Sequence, residues 1–133
     1  MDHDPAALVD EARGALENAY VPYSEYEVGA ALLADDGTVY AGANLENANY
    51  SNSLHAEEVA LSRAWMAGAR EFVALAVSSG VRDGVTPCGM CRQTLVELCP
   101  AEMPVYCDEG DSVTEYTLGE LIPATISRDT LGK

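Results

Sequence analysis

The 133-residue sequence predicts an α/β fold, a three-layer α/β/α sandwich with a central mixed five-stranded sheet. Segments whose apolar residues have helical spacing alternate with short apolar runs typical of strands, which indicates a sheet covered by helices. Two of the predicted strands form a hairpin, so the sheet contains antiparallel as well as parallel neighbours. The chain is long enough for one core and too short for two ordinary domains. We therefore expect a single domain over residues 1–133.

The first half of the chain predicts a helix, a hairpin and a second helix. Residues 5–19 carry apolar side chains along one stripe, and the proline at their start suits the first turn of a helix. Residues 27–33 and 38–42 flank the turn sequence "ADDG", which predicts a β-hairpin. An irregular stretch, "ANLENANYSNS", follows, and helical spacing returns over residues 55–67. The second helix therefore begins after a loop that follows a strand.

The second half predicts a strand, a helix, a strand and a final strand that passes into a short helix. "FVALAVS" at 72–78 is an apolar run that suits a buried strand, and a helix follows over residues 88–98. "PVYC" at 104–107 predicts the next strand, and "TEYTLGELIP" the last elements. In open α/β sheets, ligands bind beyond the carboxyl ends of strands, where helices begin. Both long internal helices begin after loops that suit such a site.

The net charge of −15, with only seven basic residues, narrows the choice of partners. Such a surface repels a polyphosphate backbone, so we expect no nucleic-acid partner and no anionic membrane surface. It indicates either a strongly solvated surface or adaptation to high salt, where counter-ions screen the repulsion. No apolar run approaches the roughly 20 residues that span a bilayer. The N-terminus is acidic where a signal peptide carries positive charge, so we expect a cytoplasmic protein.

The spacing of two cysteines indicates a metal site. Cys88 and Cys91 lie three residues apart at the start of a predicted helix, where their side chains share one face and the helix dipole favours thiolates. Two thiolates on one turn can bind a soft divalent cation, most often zinc. A buried pair or a redox couple is the alternative for this motif alone. Cys99 and Cys107 are candidates for a fourth ligand, but small core residues are the favoured interpretation.

A histidine and a glutamate supply the remaining parts of a catalytic metal site. The chain has two histidines; His3 lies near the N-terminus, whereas His55 opens a helix as Cys88 does. Three protein ligands leave an open position for water, which is typical of catalytic zinc. Glu57 lies two residues after His55, on a different sector of the helix, and can exchange a proton with such a water. Stabilisation of the helix dipole is the alternative role for Glu57 alone.

The motifs "HAE" at 55–57 and "PCGMC" at 87–91 match the H-x-E…P-C-x-x-C signature of zinc deaminases. More narrowly, the chain resembles the small cytidine deaminases along nearly its whole length. The matching segments are "YVPYSEYEVGAALL", "GANLENANYS", "HAEE", "PCGMCRQTLVELC" and "LGELIP". The resemblance implies one deaminase domain that binds one Zn²⁺ per chain and forms a homotetramer. It also implies hydrolytic deamination of cytidine and deoxycytidine to the uridines, with release of ammonia, in pyrimidine salvage.

The resemblance also implies a role for each site residue. The zinc ligands of the family fall on His55, Cys88 and Cys91, and its proton-transferring glutamate falls on Glu57. The positions that contact the nucleoside substrate match Tyr26 against the base, Asn44 and Glu46 at the ribose hydroxyls, and the backbone of Ala56 at the pyrimidine edge. A carboxylate and an amide suit a neutral sugar, and the carboxylate repels a phosphate.

The chain departs from the pattern of many short members of that family. They have cysteine at the position of His55 and arginine at that of Glu58. Three thiolates leave a zinc cluster negative, and an arginine offsets that charge, whereas histidine and two thiolates leave it neutral. We therefore expect Glu58 to point away from the metal, to solvent or to a neighbouring subunit. Arg92, next to Cys91, remains available as a donor to sulfur. Ile126 lies near the position of a phenylalanine that the family offers to a neighbouring pocket, which leaves that contact in doubt.

Other functions share parts of the pattern. Blasticidin-type deaminases have the same metal motif, although "NLENANY" favours a nucleoside. Nucleotide deaminases need a phosphate pocket and tRNA-editing deaminases bind RNA, and the net charge of −15 disfavours both. A structural zinc in a binding protein, with a fourth cysteine ligand, is the alternative from a different class.

Overall fold

The structure is a computed structural model that describes residues 2–133. The helices are α1 (Pro5–Ala15), α2 (Ala56–Met66), α3 (Gly89–Leu98) and α4 (Leu118–Leu121). The strands are β1 (Val28–Ala34), β2 (Val39–Ala43), β3 (Phe72–Ser79), β4 (Pro104–Asp108) and β5 (Val113–Thr117). Short 3₁₀ turns lie at Leu16–Asn18 and Tyr50–Asn52. Among the described residues, no helix has both the length and the apolar character to cross a bilayer.

The five strands form one mixed sheet in the order β2-β1-β3-β4-β5. β1 pairs antiparallel with both β2 and β3, β3 pairs parallel with β4, and β4 pairs antiparallel with β5. The predicted mixed five-stranded sheet is confirmed. Because β1 runs opposite to both of its neighbours, the carboxyl ends of β2, β3 and β4 lie at the same edge of the sheet.

Helices cover both faces of the sheet, as the strand pattern requires. Side chains alternate between the faces, so Leu32 of β1 points to one layer and Leu33 to the other. The layer with Leu33 packs against α1, whereas the layer with Leu32 packs against α2, α3 and α4. The central strands are apolar on both sides because both of their faces are buried. The predicted three-layer α/β/α arrangement is therefore confirmed.

The element ends differ from the sequence expectation by one to four residues. The first helix was expected over 5–19, but regular α-helix ends at Ala15. Tyr20 forms a β-bridge with Leu45, and this long-range pairing draws the chain out of the helix. The predicted starts of α2 and α3 are each one residue early, because His55 and Cys88 have extended backbones and are N-caps rather than helical residues.

A glycine brings α2 close to the sheet. A Cβ atom built on Gly42 of β2 lies 2.5 Å from the Ala56 carbonyl oxygen and 2.6 Å from the Ala60 amide nitrogen. Only a residue without a side chain permits this approach. Gly42 therefore sets the position of the first turn of α2, which His55 caps.

We expect Gly42→Ala to lower the unfolding free energy by about 1–3 kcal/mol, because the added methyl group displaces the backbone of α2. Urea unfolding followed by circular dichroism measures the change. Gly14→Ala is the matched control, because a Cβ there meets nothing within 4 Å. Its helical position predicts unchanged or slightly increased stability. Equal stability of Gly42→Ala and the wild type would contradict the close packing of α2 on β2.

A buried carboxylate ties α1 to the ends of β3 and β4. Asp108 accepts hydrogen bonds from Arg13 Nε and Nη2 at 2.7 Å each and from Ser78 Oγ at 2.7 Å. The bonds from Arg13, followed by those from Ser78 and the Gly110 amide, lower the pKa of Asp108 to about 2. Because this folded-state pKa lies below the ordinary value near 4, the network stabilises the fold above about pH 4 and loses that effect as the pH falls toward 2.

Asp108→Asn is expected to lower the unfolding free energy at pH 7 by about 2 kcal/mol, because the charge-assisted bonds to Arg13 weaken. The difference from the wild type should shrink between about pH 4 and pH 2, where the wild-type carboxylate takes up its proton. Denaturant titrations at pH 7 and pH 3 test this. Asp10→Asn is the control, since Asp10 is 71% exposed and should change stability by less than about 0.5 kcal/mol. A pH-independent difference would contradict the assignment.

Candidate metal centre and active site

The structure brings one histidine and two cysteines together at the sheet edge where β2, β3 and β4 end. His55 Nδ1 lies 3.2 Å from Cys88 Sγ and 3.4 Å from Cys91 Sγ, and the three donor atoms all lie within 4.8 Å of one another. His55 is the N-cap of α2 and Cys88 the N-cap of α3. Cys91 lies in the first turn of α3, so two helix N-termini supply all three donor atoms.

The donor set fits zinc. A tetrahedral zinc with ordinary bond lengths separates nitrogen and sulfur ligands by about 3.6 Å and two sulfur ligands by about 3.8 Å. The measured nitrogen–sulfur separations are slightly shorter than this, so a small outward movement of the side chains accommodates the ion. One nitrogen and two sulfur donors suit zinc chemically, and three ligands leave a fourth position open. Cys91 is fully buried, and burial raises the pKa of its thiol well above the ordinary value.

A buried carboxyl group lies next to the three donors. Glu57 is only 5% exposed, and it lines the same cavity as His55 and Cys88. Burial raises the pKa of Glu57, and contacts with its own amide, His55 and the Cys91 thiol oppose that effect. A carboxyl group with a raised pKa is easier to protonate than an ordinary one, which suits a group that must accept a proton and give it up again.

A cavity of about 410 Å³ opens beside this group. All four predicted substrate-binding residues line the cavity: Tyr26, Asn44, Glu46 and Ala56. Sequence reasoning missed several further lining residues: Ser24, Val28, Ser53, Leu54, Arg82, Val85 and Thr86. Ser24 and Val28 lie in the matching segment "YVPYSEYEVGAALL", but no residue type there points to a cavity. The others lie outside the matching segments, so only the tertiary structure assigns them to the site.

The side chains of Asn44 and Glu46 connect the loop after β2 to the segment before β1. Asn44 Nδ2 donates to the Tyr26 carbonyl oxygen at 2.8 Å, and its Oδ1 accepts from the Val28 amide at 3.0 Å. Glu46 accepts hydrogen bonds from the Ser24 amide and hydroxyl, which together lower the pKa of Glu46. Both side chains therefore hold the wall that carries Tyr26. Their predicted contact with ribose hydroxyls stays a prediction.

The structure settles the contacts of Arg92, which the sequence left available as a donor to sulfur. Its guanidinium donates to oxygen atoms instead: to the Pro87 and Leu121 carbonyls at 2.7 Å each and to Thr86 Oγ1 at 3.2 Å. Arg92 therefore supports the loop that precedes Cys88.

Glu58 was expected to face solvent or a neighbouring subunit, and the structure corrects this expectation. The residue is half-buried, and its Oε1 accepts a hydrogen bond from the His55 amide at 2.6 Å. The carboxylate is drawn back to the helix start because the first amides of a helix lack internal partners. It therefore caps the helix that His55 begins.

The other candidate ligands lie away from the three donors. Cys99 and Cys107 are 6% and 1% exposed and belong to the main core cluster, which confirms them as core residues. Burial raises the pKa of Cys99 to about 12 and that of Cys107 to about 11. His3 lies against the opposite face of the sheet, where its Nε2 is 2.7 Å from the Tyr106 hydroxyl. Ile126 is 56% exposed, and its carbonyl accepts a bond from Gln93.

Comparisons with known proteins agree with this geometry. The family described as the cytidine and deoxycytidylate deaminase zinc-binding region matches residues 3–107. The cytidine deaminase of Sporosarcina psychrophila is 46% identical over 130 residues, covering 96% of this chain and 95% of that protein. The cytidine deaminase of Halalkalibacterium halodurans is also 46% identical, covering 96% of this chain and 98% of that protein. The crystal structure of cytidine deaminase from Burkholderia pseudomallei superposes with a TM-score of 0.87 at 40% identity, covering 95% of this chain and all of that one.

A mixed α/β/α sheet with a histidine, two cysteines and a buried glutamate at one edge defines the class of zinc-dependent deaminases. Within that class, the chain belongs to the cytidine and deoxycytidylate deaminase family. The recognition of a cytidine deaminase-type enzyme is thereby confirmed.

We expect His55→Ala to lose most of its bound zinc, because two thiolates alone hold the ion weakly. Zinc per chain after dialysis, measured by plasma mass spectrometry, checks this. Cys99→Ala is the control that tests the alternative fourth ligand, and it should keep its zinc while losing some stability. Full retention of zinc by His55→Ala would remove His55 from the ligand set.

Proposed function

We propose that this chain catalyses the hydrolytic deamination of cytidine and deoxycytidine to uridine and deoxyuridine, with release of ammonia. In this proposal His55, Cys88 and Cys91 hold one Zn²⁺ per chain. The observation that carries the proposal is the buried Glu57 carboxyl, which lines a cavity of about 410 Å³ together with two of the three metal-donor residues, His55 and Cys88. That volume lies within the range of small-molecule sites.

Proton transfer is the role of Glu57. Zinc, when bound, supplies a Lewis acid that lowers the pKa of water to about 7. Glu57 takes a proton from the attacking water, whose oxygen adds to C4 of the base. The same carboxyl delivers that proton to N3, then takes the remaining proton from the new C4 hydroxyl and passes it to the amino group. The C4–N bond breaks, ammonia leaves and the C4 carbonyl of the uridine forms. The raised pKa of Glu57 supports this role, since the group must hold a proton between these steps.

Binding of the nucleoside is the role of the cavity walls. We assign Tyr26 to a contact with the base, the backbone of Ala56 to the pyrimidine edge, and Asn44 and Glu46 to the ribose hydroxyls. The lowered pKa of Glu46 supports this assignment, because an ionised carboxylate accepts hydrogen bonds from two hydroxyl groups. A substrate without a phosphate also avoids repulsion by the Glu46 carboxylate.

The same proposal covers the domain organisation, the oligomeric state, the cellular location and the pathway of the enzyme. We assign the whole chain to one deaminase domain that works as a cytoplasmic homotetramer in pyrimidine salvage. Exposed apolar side chains support contacts between subunits. Leu54 lines the cavity, and Tyr23 and Tyr50 line an adjoining pocket that shares Ser24, Glu46 and Ser53 with it. The net charge of −15 supports function at high salt, where counter-ions screen repulsion between subunits.

The zinc-loaded protein should deaminate cytidine and deoxycytidine and show little activity on cytidine monophosphate, adenosine or blasticidin S. Glu57→Gln should keep its zinc and lower kcat by at least about 100-fold, because the amide accepts no proton. Ultraviolet loss and ammonia yield measure turnover, and zinc content is measured in parallel. Glu97→Gln, an exposed change on α3, is the matched control. Undiminished turnover by Glu57→Gln would contradict its role, and zinc without turnover of either nucleoside would contradict the function.

A further inference from the structure

We propose that Glu58 is a positioning residue that holds the backbone of His55, so that the imidazole faces the two cysteine sulfurs. The inference rests on the proposed function, because it concerns the same zinc site. Its central contact is the 2.6 Å hydrogen bond from the His55 amide to Glu58 Oε1. The carboxylate acts through the main chain of the ligand and touches no donor atom in this arrangement.

The ring of His55 has little else to orient it. Metal-binding histidines usually donate their second ring nitrogen to a carboxylate, a carbonyl or water, which fixes the ring. Within residues 2–133, the ring contacts are those of Nδ1 with Cys88 Sγ and Cys91 Sγ, together with a capping-box contact from the Glu58 amide to the His55 side chain. None of these contacts is a carboxylate or carbonyl acceptor for the second ring nitrogen. The direction of the imidazole then depends on the backbone from which it extends.

That backbone is held on both sides. Leu54 and Leu45 exchange two backbone hydrogen bonds of 3.0 and 2.8 Å, which pin the residue before His55. The Val59 amide donates to the His55 carbonyl oxygen at 3.0 Å. The His55 amide is the remaining backbone group, and Glu58 binds it. Without that acceptor, the amide of a half-buried residue is left unsatisfied and the extended conformation of His55 is less firmly held.

The same chain contains a matched contact away from the metal. Glu120 occupies the third position of α4, as Glu58 does in α2, and its Oε1 accepts from the Thr117 amide at 2.7 Å. Both bonds close the first turn of a helix, but α4 carries none of the three metal donors. Changes at Glu120 therefore report the effect of losing such a bond in a helix that holds none of the ligands.

The test compares Glu58→Met and Glu58→Gln with Glu120→Met. Methionine keeps the length of the side chain but accepts no strong hydrogen bond, whereas glutamine keeps a carbonyl oxygen for the His55 amide. Zinc affinity is measured by competition with a chelator, and the geometry of the site by the visible absorption of the Co²⁺-substituted protein. Glu58→Ala serves as a second variant without an acceptor if Glu58→Met does not fold.

We expect Glu58→Met to bind zinc about 10- to 100-fold more weakly, with an altered Co²⁺ spectrum. Its kcat should fall more than its KM changes, because the cavity walls remain in place. Glu58→Gln should have nearly the zinc affinity and the Co²⁺ spectrum of the wild type. Glu120→Met should also have the zinc affinity and spectrum of the wild type, even if the melting temperature of that variant is lower. Wild-type zinc affinity and an unchanged Co²⁺ spectrum in Glu58→Met would overturn the inference. An equal loss in Glu58→Gln would also overturn it, because charge rather than the hydrogen bond would then be responsible.

Failure of the role of Glu58 and failure of the proposed function give different results. If the wild type binds zinc but deaminates neither nucleoside, the proposed function fails. The comparison of metal affinities between Glu58→Met, Glu58→Gln and Glu120→Met still decides the role of Glu58.

Discussion

Two helix N-termini from distant parts of the chain meet at one point, and the candidate site depends on that meeting. His55 and Cys88 are both N-caps, with extended backbones that turn their side chains toward each other. The sheet makes this possible, because β2 and β3 end at the same edge and α2 and α3 pack on the same face. The close approach of α2 to Gly42 and the support of the Cys88 loop by Arg92 complete the geometry.

The site contains buried acidic groups that a bound cation would stabilise in their charged forms. Glu57 and Cys91 are both buried, and burial raises the pKa of each; the charge of Glu57 raises that of Cys91 further. Burial therefore disfavours the charged form of each group. A divalent ion between the sulfurs and the imidazole reverses the balance for the thiols, because coordination favours the thiolate. Under the proposed function the same ion would polarise water next to Glu57, so that metal binding and proton transfer would depend on one feature of the site.

Much of the fold followed from local patterns. The strands were predicted within about one residue. Both faces of the sheet are buried, and a short apolar run such as 72–78 is typical of a strand in that position. Helix ends were less accurate, since a pairing such as Tyr20 with Leu45 lies outside any local window. The conformation of the loop after β2 could not be predicted, because its sequence has no periodic apolar pattern. Its structure comes from bonds to Ser24 and Tyr26, which lie far away along the chain.

The class of enzyme could be predicted without coordinates, because His55, Glu57, Cys88 and Cys91 match the signature of zinc-dependent deaminases. The way those residues are held became apparent only in the folded chain. Arg92 donates to oxygen atoms instead of sulfur, and Glu58 binds the amide of the ligand it follows. The physical reason is that a buried hydrogen-bonding group takes the nearest unsatisfied partner in space, and the order of residues along the chain does not specify which partner that is.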